Sequence, residues 1–132
     1  MRAGIDLRML GKSGIGEYVA QIAPRLRTLL PAWDWIGFGG RLPGFRHQPL
    51  TAGVYSVREH LALPSAIRAA NVDLFFAPHY NAPLLGRVPL VVTVHDLIHL
   101  KFPEHLPRPR WVAKAYARAQ ISRPRWRTTS LR

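Results

Sequence analysis

Cysteine is absent from these 132 residues. Disulfides, thiolate metal sites and a thiol nucleophile are excluded together, and a secreted disulfide scaffold goes with them. Long apolar runs are missing too. The longest, residues 88–94, has strand length and falls far short of the ~18–20 residues that span a bilayer as a helix. The opening Met1-Arg2-Ala3-Gly4-Ile5-Asp6 carries an acid where a signal peptide has its apolar stretch. No internal repeat is present. The expectation is a soluble, cytoplasmic protein.

Acids are also scarce: seven Asp and Glu face nineteen Lys and Arg, a formal net charge of +12. The imbalance is local. Residues 1–107 hold all seven acids and eleven bases, whereas residues 108–132 hold eight bases and no acid. The body is only mildly basic. The tail, with Trp111, Tyr116 and Trp126 among its cations, suits phosphates or anionic lipid. A solvated helix face with a frayed end is the plainer reading of such a run. What is plentiful is apolar: 48% of the residues, enough for a single α/β core.

Residues 3–7 partly alternate and predict a first strand. A polar loop over 8–14 follows. From Ile15 the spacing of Val19, Ile22, Leu26, Leu29 and Leu30 predicts a helix. Ser13 is placed to cap it, Glu17 and Tyr18 fall in its expected first turn, and Pro24 predicts a kink or an earlier stop. Residues 33–38 read as a strand, 41–53 as loop, and 54–57 as a short strand. A helix over 58–70, broken near Pro64, and a strand over 72–77 come next. Residues 90–94, β-branched and apolar on both faces, predict a strand in the middle of a parallel sheet. A last helix is expected over 111–123. This order defines an α/β fold, a Rossmann-like, mostly parallel sheet flanked by helices. In such sheets the ligand lies beyond the carboxyl ends of the strands.

Three segments leave those ends with residues suited to chemistry. Gly11-Lys12-Ser13 invites a P-loop reading, but that motif needs glycine at position 6, where Asp stands. Gly14 and Gly16 remain, between a strand and a helix start, where backbone amides can approach a phosphate; a plain turn is the alternative. His79-Tyr80-Asn81 follows another strand and offers polar and aromatic groups to a sugar or polyol; a Pro-flanked turn is the alternative. His95 and Asp96 follow the strongest strand and suit a substrate site; a turn cap and a satisfied core histidine are the alternative. His95, His99 and His105 do not make a metal site, because aligning the first two needs a helix that nearby Pro103 disfavours.

Three blocks, in this order, resemble the N-terminal half of the family 4 (group 1) retaining glycosyltransferases. They are Gly4-Ile5-Asp6-Leu7-Arg8-Met9-Leu10 with Ser13-Gly14-Ile15-Gly16-Glu17-Tyr18-Val19, then Asp73-Leu74-Phe75-Phe76-Ala77-Pro78-His79-Tyr80-Asn81, then Val88 to His99 with Phe102-Pro103-Glu104. The resemblance covers residues 2–123. It implies the acceptor-side half of a two-domain GT-B enzyme. Such an enzyme moves a sugar from a nucleoside-diphosphate sugar to a hydroxyl acceptor, with retention and without an essential metal or other cofactor. By position, the amides of Gly14 and Gly16 would meet the donor's diphosphate, with Ile15 and Tyr18 in the same segment. His79, Tyr80 and Asn81 would line the substrate side. His95 would sit near the transferred sugar and Asp96 would orient its loop.

The family holds most of its donor on a second domain, for which this sequence shows no counterpart. Pro124 disfavours continuing the last helix, and residues 124–132 lose both periodicity and resemblance. The expectation is therefore a glycosyltransferase domain over 1–123 followed by an irregular basic tail over 124–132, from a reading frame truncated or shifted near Ser122 and inactive alone. The alternatives are one half of a split enzyme completed by a separate donor-domain chain, and a non-catalytic basic binding module. Peripheral association with the inner face of the membrane would run through the tail. Nucleic acid is not the expected partner.

Overall fold

A computed structural model describes residues 1–54, 56, 58–79, 82–83 and 88–95. Within them lie β1 (Arg2–Asp6), α1 (Ser13–Leu29), β2 (Asp34–Phe38), β3 (Arg46–Gln48), α2 (Glu59–Ala69), β4 (Leu74–Ala77) and β5 (Leu90–Val92). The five strands form one sheet in the order β3-β2-β1-β4-β5, and every pairing is parallel. That is a Rossmann-like α/β arrangement. Parallel pairing forces each connection to cross back along the sheet, so all five carboxyl ends share one edge. These elements belong to a compact unit spanning Met1–Thr93. The expected helix over 111–123 and the expected boundary at 123 lie outside the described residues.

Alternation along β1 builds two cores. Ala3, Ile5 and Leu7 join Trp35 and Phe76 beneath Val19 and Ala23 of α1. On the opposite face Ile36, Phe38, Phe75 and Ala77 join Leu63 and Ile67 of α2. Side chains two apart share a face of a strand, so each helix covers one face of the sheet. Gly4 lies on the α2 face between Phe38 and Phe75, whose rings meet edge-on with centroids 5.2 Å apart. A Cβ at Gly4 would lie 2.8 Å from each ring. Glycine is what lets the two phenylalanines close over the central strand.

Several sequence expectations need correction. The stretch read as loop over 41–53 contains β3, whose residues Arg46, His47 and Gln48 offer no apolar pattern. Edge strands tolerate such polarity, since one side faces solvent. The strand expected over 54–57 is not found among the described residues there, and Val54 lies in a turn. Neither proline ends its helix. Pro24 sits exposed inside α1, and Pro64 sits inside α2 between the buried Leu63 and Ile67. Packing of the apolar stripe outweighs the bond each ring removes. Ser13 does not cap α1: the cap residue is Lys12, with no side-chain cap bond, and Ser13 takes a left-handed φ of 57°. The helix thus starts earlier than its apolar period, and Glu17 falls beyond the first turn. It accepts from Gln21 Nε2 at 3.0 Å instead. Finally, β5 is an edge strand of the described sheet, not a central one, and Val91 is 47% exposed.

The amino edge is stitched by exposed charge. Asp34 Oδ2 accepts from Arg2 Nε at 3.1 Å and Arg46 Nη1 at 2.9 Å, and the Arg2 amide donates to Asp73 Oδ2 at 2.7 Å. A little burial pushes the Asp34 carboxyl up, but the two guanidiniums outweigh it and hold the pKa below the usual value.

Candidate functional site

The winding reverses between β1 and β4. From β1 the chain moves outward through β2 and β3, then returns to place β4 and β5 on β1's other side. The carboxyl ends of β1 and β4 therefore flank the switch point where α/β folds of this type bind ligands. Four ionisable side chains are buried there: Asp6 at the end of β1, Arg8 two residues on, Glu59 opening α2, and His79 just past β4.

Arg8 is the hub. Its Nε donates to Asp6 Oδ1 at 2.9 Å, its backbone amide donates to the same oxygen at 3.0 Å, and its Nη2 donates to Asp6 Oδ2 at 2.5 Å. Nη2 also donates to Glu59 Oε1 at 2.5 Å, and Nη1 reaches the Ala52 carbonyl at 3.4 Å. His79 Nε2 lies 3.3 Å from Asp6 Oδ2, the long end of a hydrogen bond. The turn after β2 closes over the arginine stem. Gly39, at φ 75°, leaves room that a Cβ would take from Arg8 Cγ.

Burial alone pushes the Asp6 carboxyl up. The hydrogen bonds from His79 and Arg8, with their charges, outweigh it and bring the pKa down to about 2. Burial likewise works against the Arg8 cation, but Asp6 and Glu59 reverse the sign and raise its pKa above the ordinary value. Asp6 is therefore held as a carboxylate and Arg8 as a cation. A buried pair is costly to break from one side, because the remaining charge stays out of water. This cluster ties β1, β4 and α2 together, with the Arg8 guanidinium engaged by both carboxylates. It forms the floor of the carboxyl edge, not a set of groups reaching into solvent.

Above it, a tight segment connects β1 to α1. Leu10 N–H donates to the Leu7 carbonyl at 3.1 Å and Lys12 N–H to the Met9 carbonyl at 2.9 Å. Gly16 is buried, and a Cβ there would strike the Met9 carbonyl oxygen. Its amide is already spent on the Lys12 carbonyl at 3.0 Å. Gly16 therefore acts by letting α1 seat close to this segment, whereas the sequence suggested an amide aimed at phosphate. Gly14 differs: it is exposed, and a Cβ there would meet nothing within 4 Å. Ile15 is half-buried against the α1 core. Tyr18 Oη lies 3.2 Å from Thr93 Oγ1, joining α1 to the end of β5.

Of the other expected site residues, His79 is fully buried beside Asp6 and does not line an open surface. His95 is exposed and belongs to a second unit, Val94–Arg132. Tyr80, Asn81 and Asp96 lie outside the described residues. Among the described residues no three His, Asp or Glu side chains are grouped to hold a metal ion, and no helix is long and apolar enough to cross a membrane. Sequence reasoning missed Asp6, Arg8 and Glu59 as site residues. The available signal was the pair of opposite charges, two apart, at the end of an apolar strand. No family model, curated protein or solved structure matches the chain.

Proposed function

We propose that the chain is the acceptor-side half of a two-domain retaining glycosyltransferase that draws on a nucleoside-diphosphate sugar. The observation that carries this reading is where the three resembling blocks fall. The first runs through the carboxyl end of β1 into the start of α1, the second ends just past β4, and the third contains β5. Three stretches chosen by resemblance alone thus leave the same edge of one parallel sheet, the edge where such folds take their ligands.

In a transfer of this kind the barrier is the departure of the diphosphate, and preorganised donors lower it. The first-turn amides of α1, at Ser13, Gly14 and Ile15, have no carbonyl four residues back within the helix, and a helix N-terminus favours an anion. On this reading they meet the diphosphate, with Ser13 and Gly14 the exposed members. His95 and Asp96 keep the roles that the resemblance gives them. The buried cluster touches no substrate and fixes the floor on which the binding segments stand.

The nucleotide itself is held mainly by a second α/β domain, in the same polypeptide or on a separate chain. Residues 1–132 alone then transfer sugar negligibly, since half a cleft neither supplies every donor nor excludes water. The working location is the cytoplasm, with the tail over 108–132 against the anionic inner face of the membrane. Saturation-transfer NMR with UDP-glucose and GDP-mannose tests the reading. Weak signals from the diphosphate-sugar end, abolished by Gly16→Val in a variant that still folds, are expected. No signal at millimolar nucleotide sugar would contradict it.

A further inference from the structure

Segments distant in sequence meet on one guanidinium. Asp6 holds Arg8 from β1, Glu59 holds it from the first residue of α2, and the Ala52 carbonyl holds it from the connection preceding α2. His79 stands behind Asp6, and Gly39 closes over the arginine stem. Arg8 also opens the turn that leads to α1. Its own amide is fixed by Asp6, the turns at Leu10 and Lys12 follow at once, and α1 seats on Met9 through Gly16.

We infer that Arg8 is a positioning residue that couples the start of α2 to the β1–α1 segment through Glu59. The two helix N-termini at the carboxyl edge then open and close as one unit. Arg8 suits this role because its planar fork engages both carboxylates at once, which a lysine ammonium does not reproduce. Anything that shifts the first turn of α2 is felt at Leu10 to Lys12, some fifty residues away in sequence, without passing through the strands. The bearing of this coupling on diphosphate binding rests on the glycosyltransferase reading; the coupling itself does not.

Native-state hydrogen exchange on the full chain, read by NMR in low guanidinium, tests it without any ligand. The amides of Leu10 and Lys12 report the β1–α1 segment, Ala62 reports the first turn of α2, and Phe75, bonded to the Pro89 carbonyl at 2.9 Å, reports the sheet. In the wild type, Leu10, Lys12 and Ala62 are expected to share one opening free energy and one denaturant dependence. In Glu59→Gln, exchange at Leu10 and Lys12 is expected to rise about tenfold beyond the change at Phe75, the scale of one charged hydrogen bond. Arg8→Lys should do the same. Independent opening of Leu10 and Ala62 in the wild type would overturn the inference, and so would equal factors at Leu10 and Phe75 in Glu59→Gln. Should the variants not fold, the wild-type comparison decides alone. If coupling holds while nucleotide sugars fail to bind, only the functional reading falls.

Discussion

Arg8 and Glu59 stand fifty-one positions apart in the chain, yet their side chains meet at 2.5 Å in the interior. Neither residue belongs to the other's element, and both are almost fully buried. The contact joins the carboxyl end of the central strand to the start of the helix covering one face of the sheet. Removing Arg8 takes the cation from both Asp6 and Glu59, which stay out of water, a loss of about 3–5 kcal/mol for a buried pair. Arg8→Met is expected to fall in that range by urea unfolding, and Glu59→Ala to cost less, because Arg8 then keeps its bonds to Asp6. The triple variant Asp6→Asn, Arg8→Met and Glu59→Leu is expected to recover part of the Arg8→Met loss, because none of the three buried charges remains.

Charge at the opposite edge is expected to behave differently. Asp34 accepts from Arg2 and Arg46, but its side chain is 41% exposed. Exposed pairs of this kind contribute about 0–1 kcal/mol and are screened by salt. Asp34→Asn should therefore cost less than Glu59→Ala, and its small effect should shrink further in molar salt.

Acid should weaken the fold through Asp6. Its folded pKa lies near 2, below the ordinary carboxyl value of 3.8, so folding favours the carboxylate. The contribution is complete above the unfolded pKa and is lost as pH falls through the folded one, between about pH 5 and 2, at roughly 2 kcal/mol. Stability measured across that range should drop in the wild type. Asp6→Asn, less stable at neutral pH, should show a flatter acid limb.

Gly4 and Gly16 stand at two of the close approaches in the fold. At Gly4 a methyl group would press on Phe38 and Phe75, and at Gly16 it would press on the Met9 carbonyl. Overpacking of this sort costs about 1–3 kcal/mol. Gly4→Ala should lower the thermal midpoint with the sheet intact. In Gly16→Ala the obstructing atom is backbone, so the loss should be accompanied by amide shifts at Leu10 and Lys12. Gly14→Ala, in open space, should cost less than either.

The sheet was legible wherever packing writes itself into the sequence. Ala3, Ile5 and Leu7 alternate with Gly4 and Asp6 because β1 is covered on both faces, and the apolar run at 72–77 reflects the same burial, whereas the run at 90–94 contains β5, at the edge of the described sheet, with Val91 and Val94 exposed. Arg46-His47-Gln48 was illegible because its place is held by backbone pairing to β2 and by the Gly39 amide on the Gln48 carbonyl, at 3.0 Å, not by apolar side chains. The stop at Pro24 and the break near Pro64 do not occur, because local propensity counts the lost bond and not the buried stripe. At the site, Gly16 was singled out, but its neighbour Met9 and its spent amide are facts of the folded chain. Asp6 and Arg8 stood in plain view as opposite charges beside an apolar strand. Glu59, their distant partner, could not be read from any local pattern.

The most direct measurement of the functional account is residue-resolved amide shift mapping of the full chain with UDP-glucose and GDP-mannose at millimolar concentration. The account predicts perturbations at Ser13, Gly14 and Ile15 on the carboxyl edge, with Arg2, Asp34 and Arg46 on the amino edge unmoved. Shifts centred on the amino edge, or none at the start of α1, would contradict it.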